Sequence, residues 1–188
     1  MEISNKLDAN LRHFHQLLRV NENFDVVYRV IQIGGRDACV YFVDGFAKDD
    51  TLLRILQGFT SLKPDAVPQT AHEFSKLFIP YGEVDLLTDD AEIAVQVLSG
   101  VPCLFVDGYS KCFAIDCRTY PARGVAEPDK DKVLRGSRDG FVETLVFNTA
   151  LIRRRIRDPQ MTIEVMQAGI KSHTDIALCY MDGWIRIF

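Results

Sequence analysis

Long charge-poor runs are missing from this sequence. None approaches the roughly 20 apolar residues that a bilayer-spanning helix requires, so the residues read as a soluble protein. The opening, MEISNKLDANLRHFHQLLRV, is polar and amphipathic, without the apolar block of a secretory signal. An excess of positive charge is missing too: the formal net charge of −4 disfavours nucleic acid, which needs a basic field. The five cysteines form no CxxC pair and no even framework. Cys39, Cys103, Cys112, Cys117 and Cys179 sit in or beside apolar, strand-like runs, where a free thiol behaves as a small hydrophobe. That pattern suits a reducing, cytosolic compartment.

Catalytic signatures are equally scarce. His13 and His15 are two apart on a helical pattern and face away from one another, which is poor metal geometry. Ser172-His173-Thr174-Asp175 holds triad letters, but neighbours in a turn do not converge as nucleophile, base and orienter. The glycine groups Gly34-Gly35 and Gly136/Gly140 match neither the phosphate-loop nor the dinucleotide fingerprint. Asp44, Asp107 and Asp182 each precede glycine, which is turn chemistry before it is catalysis. The residues therefore predict no enzyme, with no catalytic, cofactor or metal site.

What the 188 residues do contain is a core: 47% are hydrophobic against 26% charged. Helical spacing of Leu7, Leu11, Phe14 and Leu18 predicts a first helix over 4–20, with Ser4 or Asn5 as its cap. FDVVYRVIQI and ACVYFVD, joined by GGRD, predict a hairpin. Asp49 or Asp50 can cap a helix bearing Leu52, Leu53, Leu56 and Phe59. A short helix over 70–78, a short strand over 83–87 and a helix capped by 88–90 follow. PCLFVDGYSKCFAID predicts a second hairpin. Composition then shifts to RTYPARGVAEPDKDKVLRGSRD, a charged linker.

Beyond the linker, FVETLVFNTALIRRRIRD predicts a long helix with Phe141, Leu145, Asn148, Ile152 and Ile156 on one face and arginines at its end, complementing the dipole. A third hairpin spans MTIEVMQAGI, KSHTD and IALCYMDG. The fold class is α/β: an α+β mixed sheet with β-hairpins and flanking helices, then the start of a second, incomplete αβ subdomain. The expected organisation is 1–118 as a first αβ subdomain, 119–138 as charged linker, and 139–188 as a helix plus hairpin. The order helix, strand, turn, strand, Asp-Gly occurs twice, placing Val27 on Val165 and Asp37 on Asp175. The third hairpin would leave an unpaired edge, expected to pair with the first sheet or with another copy.

The stretch 121–156 carries a more specific pattern: Glu127-Pro128, then Arg135-Gly136-Ser137-Arg138-Asp139-Gly140-Phe141, then Asn148 and Ala150-Leu151-Ile152-Arg153-Arg154-Arg155. In this the sequence resembles the GerA family of spore-germination proteins, the A-type subunits of germinant receptors, and within it a sporulation-stage branch. The resemblance implies a cytosolic N-terminal region of two small α/β subdomains, followed in full-length members by transmembrane helices beyond the last residue here. It implies a place on the cytoplasmic face of the spore inner membrane, in a complex linked to nutrient sensing and ion release. Expected partners are other germination-complex subunits or a second copy, with no nucleic acid. The residues expected to lock one subdomain or protomer against another are Glu127, Asp129, Arg135, Arg138, Asp139, Arg153, Arg154 and Arg155, through arginine–carboxylate forks. Against this stands an ordinary solvated loop beside a basic helix end. The competing function is a ligand-sensing module that holds a small molecule between the subdomains.

Overall fold

The computed structural model describes residues 2–47, 49–79, 82–120 and 140–183. Its centre is a five-stranded sheet of order β1-β2-β4-β5-β3, built from β1 (Val26–Ile33), β2 (Arg36–Val43), β3 (Val84–Leu87), β4 (Cys103–Val106) and β5 (Cys112–Ile115). Every neighbouring pair is antiparallel. The hairpin joining β1 to β2 turns at Gly34-Gly35, both with positive φ (53° and 76°). Two such residues give a two-residue loop whose twist matches the strands it joins, which is why the glycine pair marks the turn.

Helices cover both faces of this sheet. Alternate residues point to opposite sides of a strand. On one side Cys39 and Tyr41 of β2, Cys103 and Phe105 of β4, and Cys112 and Ala114 of β5 pack under α1 (Leu7–Leu17) and α4 (Asp90–Leu98). On the other side Ala38 and Val40, Leu104 and Val106, and Phe113 and Ile115 pack against α2 (Asp49–Thr60) and α3 (Ala71–Phe78). Burial on both faces explains why β4 and β5 read as unbroken apolar runs rather than alternating ones, although their pairing is antiparallel.

Caps set several helix boundaries. Thr70 caps α3 through the Glu73 amide, and Asp89 caps α4 through the Glu92 amide. The cap expected of Ser4 or Asn5 on α1 comes from elsewhere: the Leu7 amide donates to Asp107 Oδ1 at 2.9 Å, across 100 residues. Ser4 Oγ instead accepts from the Lys6 amide, outside the helix. Asp107 therefore serves both its own turn and the start of α1, a role that local sequence does not reveal.

Past residue 139 lie α5 (Leu145–Arg155) and a second, two-stranded sheet of β6 (Met161–Ala168) and β7 (Thr174–Met181). Among the described residues these two strands pair only with one another, so the ladder expected between this hairpin and the first sheet does not form. The face of α5 turned inward is also not the expected one. Phe141 precedes the helix and is 67% exposed, while Thr149, Ala150 and Arg153 are buried. Small residues let the helix approach closely, and the arginine is drawn in by a specific partner. Asn148, expected on the apolar face, bonds both the amide and the carbonyl of Val142 at 2.7 Å and fixes the approach to the helix.

Candidate functional site: a buried joint between two units

Among the described residues the largest fully buried side chain is Arg153. Its guanidinium binds Asp25 in a two-pronged pair, Nε to Oδ2 at 2.7 Å and Nη2 to Oδ1 at 3.0 Å. Nη2 also donates to Asn23 Oδ1 at 2.9 Å, and Nη1 to the Met161 carbonyl at 3.1 Å. A buried guanidinium is tolerated only when its fork is met by such partners. Asp25 and Asn23 belong to the loop between α1 and β1, so one residue of α5 ties that loop to the start of β6.

Asn23 carries the link further. Its Oδ1 accepts a second bond from the Ile163 amide at 2.9 Å, while its Nδ2 donates to the Leu18 carbonyl at 2.9 Å. The Phe24 amide donates to the Ile163 carbonyl at 2.8 Å, and the Asp44 amide to the Asp25 carbonyl at 2.8 Å. The ends of α1, β1, β2, α5 and β6 thus converge on one small polar core. Around it, Arg19 pairs with Asp182 at 2.9 Å on the surface.

A second, apolar contact lies beside it. Val43, Phe46 and Ala150 are buried together, with Tyr120 packed against them. Tyr120 meets Phe46 edge-on at 5.3 Å between ring centroids and donates its hydroxyl to the Ser99 carbonyl at 2.9 Å. The guanidinium carbon of Arg154 sits 4.4 Å from the Tyr120 ring centroid, a cation–π contact. Arg155 turns back along its own helix, with Nη1 donating to the Leu151 carbonyl at 3.0 Å.

The arginine triplet thus divides into three roles: Arg153 buried in the joint, Arg154 on an aromatic ring, and Arg155 on its own helix. Glu127, Asp129, Arg135, Arg138 and Asp139, expected to join them, lie outside the described residues. Sequence reasoning missed the actual partners, Asp25 and Asn23. No local signal marks them, since a polar NENFD stretch before a strand reads as an ordinary loop.

Other sites weighed from sequence do not assemble. His13 Nε2 lies 2.7 Å from Asp90 Oδ2, whereas His15 packs on Tyr28 and Tyr41, so the two diverge. Among the described residues no three potential ligands group as a metal site. In the third hairpin, Ser172 Oγ donates to the Ala168 carbonyl and Asp175 accepts from Gln167, so neither addresses His173. Asp116 pairs with Arg118, whose guanidinium holds the carboxyl below its usual range.

The fold has a solved counterpart. The N-terminal domain of the A subunit of the Bacillus megaterium spore germinant receptor GerK3 superposes with a TM-score of 0.75 at 23% identity, over 97% of this chain and 67% of that one. The sequence profile of the Bacillus/Clostridium GerA spore germination proteins matches residues 13–186, and the chain belongs to that family. Among curated relatives, stage V sporulation protein AF of Bacillus subtilis is 35% identical over 92% of this chain and 35% of its own length. Spore germination protein KA of the same organism is 29% identical over 87% of this chain and 31% of its own length. The chain therefore spans about a third of the length of these relatives. Among the described residues no helix is long and apolar enough to cross a membrane.

Proposed function

We propose that this chain acts as a non-catalytic assembly and signalling region of a spore-germination membrane protein, on the cytoplasmic face of the spore inner membrane. Its task is to couple two small αβ units mechanically within a germinant-receptor-like or ion-release complex. The observation that carries this reading is the buried Arg153–Asp25–Asn23 joint. A buried ion pair adds little net stability compared with an apolar substitute, but it demands one geometry. Such a joint suits a part that must hold or transmit a fixed orientation. Family membership and the names of the relatives supply the germination setting.

The test is made in the full-length protein within spores. Arg153→Met and Asp25→Asn are introduced separately, and germination is followed by loss of optical density. Recovery of the protein with its membrane complex is measured in parallel. The expected result is slower germination and weaker complex recovery at a normal level of the protein. Normal germination, in spores whose variant has demonstrably lost the joint by hydrogen exchange, would overturn the reading.

A further inference from the structure

Among the described residues three buried side-chain polar atoms make no hydrogen bond: His15 Nε2, Tyr41 Oη and Thr162 Oγ1. Two of them belong to one cluster. The His15 ring, in the last turn of α1, lies 4.6 Å from the Tyr28 ring and 5.8 Å from the Tyr41 ring, between centroids. His15 is half-buried as a whole, yet its Nε2 is closed to solvent. Facing it are Tyr28 of β1 and Tyr41 of β2, with the Cys39 thiol beside the Tyr41 hydroxyl. Cys103 of β4 donates to the Val101 carbonyl, and α4 brings Asp90 to His13 and leaves Glu92 exposed. Nearby in sequence, Arg12 is exposed and Arg19 pairs with Glu22 and Asp182, so no carboxylate reaches His15 Nε2. An imidazolium placed there would lose hydration without meeting an anion, and ring faces attract a cation only weakly by comparison. Burial accordingly holds His15 below its ordinary value of 6.5.

The end of α1 leads directly into the joint. The His15 carbonyl accepts from the Val20 amide at 3.1 Å, and the Leu18 carbonyl accepts from Asn23 Nδ2. The Arg19 carbonyl accepts from the amides of Glu22 and Asn23, both at 2.9 Å. Arg19 holds a positive φ of 51°, which an arginine keeps only when its surroundings enforce it. The turn from His15 to Asn23 is thus one bonded piece, and Asn23 meets both Arg153 and Ile163.

We propose that His15 is a proton-sensitive latch on the Arg153 joint. While neutral, the imidazole lies against the two tyrosines and fixes the end of α1. Once protonated it swings to solvent, the end of α1 loosens, and the Asn23 side chain is freed from Arg153 and β6. An opened His15 takes up a proton at its ordinary 6.5, and the closed ring only at lower pH. Closure is therefore fully favoured above that value and weakens as the pH falls below it. A single ring is involved, so opening grows by at most about tenfold per pH unit. The inference rests on the geometry of the joint and not on its role in germination, so its failure would leave the assembly reading standing.

Amide protection factors of the 188-residue chain are measured one pH unit above and one below 6.5, and its imidazole resonances are followed by NMR between them. Protection over 15–24 and 161–165 is expected to fall about three- to tenfold at the lower pH, while β4 and β5 keep theirs. His15→Phe retains an uncharged ring and should abolish the fall, whereas His13→Gln should leave it in place. The titration of His15 in the parent chain decides the matter even where a variant folds poorly. A His15 that titrates at or above 6.5, an equal fall in His15→Phe, or a loss of protection that includes β4 and β5 would each overturn the proposal.

Discussion

The molecule contains the same supersecondary unit twice, with opposite fates. α1-β1-β2 and α5-β6-β7 each run helix, eight-residue strand, turn, eight-residue strand, and each ends at Asp-Gly. In the first, β2 lies inside a sheet covered by helices on both faces, and most of its residues are buried. In the second, β7 pairs with no strand other than β6 among the described residues, and most of its residues are exposed. A hairpin alone is marginal in water, so it needs an anchor as well as its own ladder. The first unit is anchored by a shared apolar core. The second is held by one buried guanidinium, a few backbone bonds, the buried start of β6 at Met161 and Ile163, and the small cluster of Val43, Phe46 and Ala150.

The strongest way to break this comparison is Arg153→Met. Removing one member of a buried pair strands the other, at a cost of roughly 3–5 kcal/mol. Amide exchange over 161–181 should rise steeply, while protection over 36–43 stays near that of the parent protein. If both regions lose protection together, the two units form one cooperative block and the contrast fails. Coupling Arg153→Met with Asp25→Leu should recover much of the loss, since an apolar pair leaves no uncompensated charge.

How much of this was legible in sequence follows the same divide. Gly34-Gly35 between two β-rich runs identified the first hairpin, and the polar group 88–90 marked a helix start, because turns and caps are local chemistry. The apolar sequence of β4 revealed a strand but not that both its faces are covered, which depends on where four helices land. The GerA pattern at 121–156 pointed to the family through Arg153 without pointing to its partner. The bond to Asp25 spans 128 residues, and no periodicity reaches that far. The misplaced inner face of α5 has the same cause: Leu145, Ile152 and Ile156 suggested an apolar stripe, but the joint selected Thr149, Ala150 and Arg153.

A smaller effect is expected at Gly100, beside the apolar contact. Its φ is +94°, and a Cβ there would lie 2.6 Å from Phe46 Cβ and Cδ2. Gly100→Ala must strain the backbone and displace Phe46 from Tyr120, at a cost of about 1–3 kcal/mol. Thermal unfolding should show that loss in a variant whose Arg153–Asp25 pair is intact. Smaller again is Arg154→Ala, which removes the cation–π contact with Tyr120 and should cost about 0.5–1 kcal/mol. An equal cost for Arg154→Lys would mean that the ring contact requires the flat guanidinium rather than a charge alone.

The finest measure of the contrast is thiol reactivity, because each unit carries its own cysteines. Cys39, Cys103, Cys112 and Cys117 are buried in the first unit, and Cys179 is exposed on β7. Burial pushes the Cys39 thiol up to about 12, so at pH 8 roughly one molecule in ten thousand carries the reactive thiolate there. Burial also raises Cys112 well above its ordinary value, with the neighbouring Cys103 adding to the shift. Cys179 is raised more modestly, first by partial desolvation and then by the Asp25 carboxylate, while Arg153 acts in the opposite sense. Alkylation of the native protein at pH 8 should therefore modify Cys179 alone, more slowly than a free cysteine and faster as the pH rises. The other four should react only after unfolding, as read by intact mass. Early modification of Cys39 or Cys112 would mean that the first unit opens as readily as the second, and the distinction between a core-anchored and a joint-anchored hairpin would be lost.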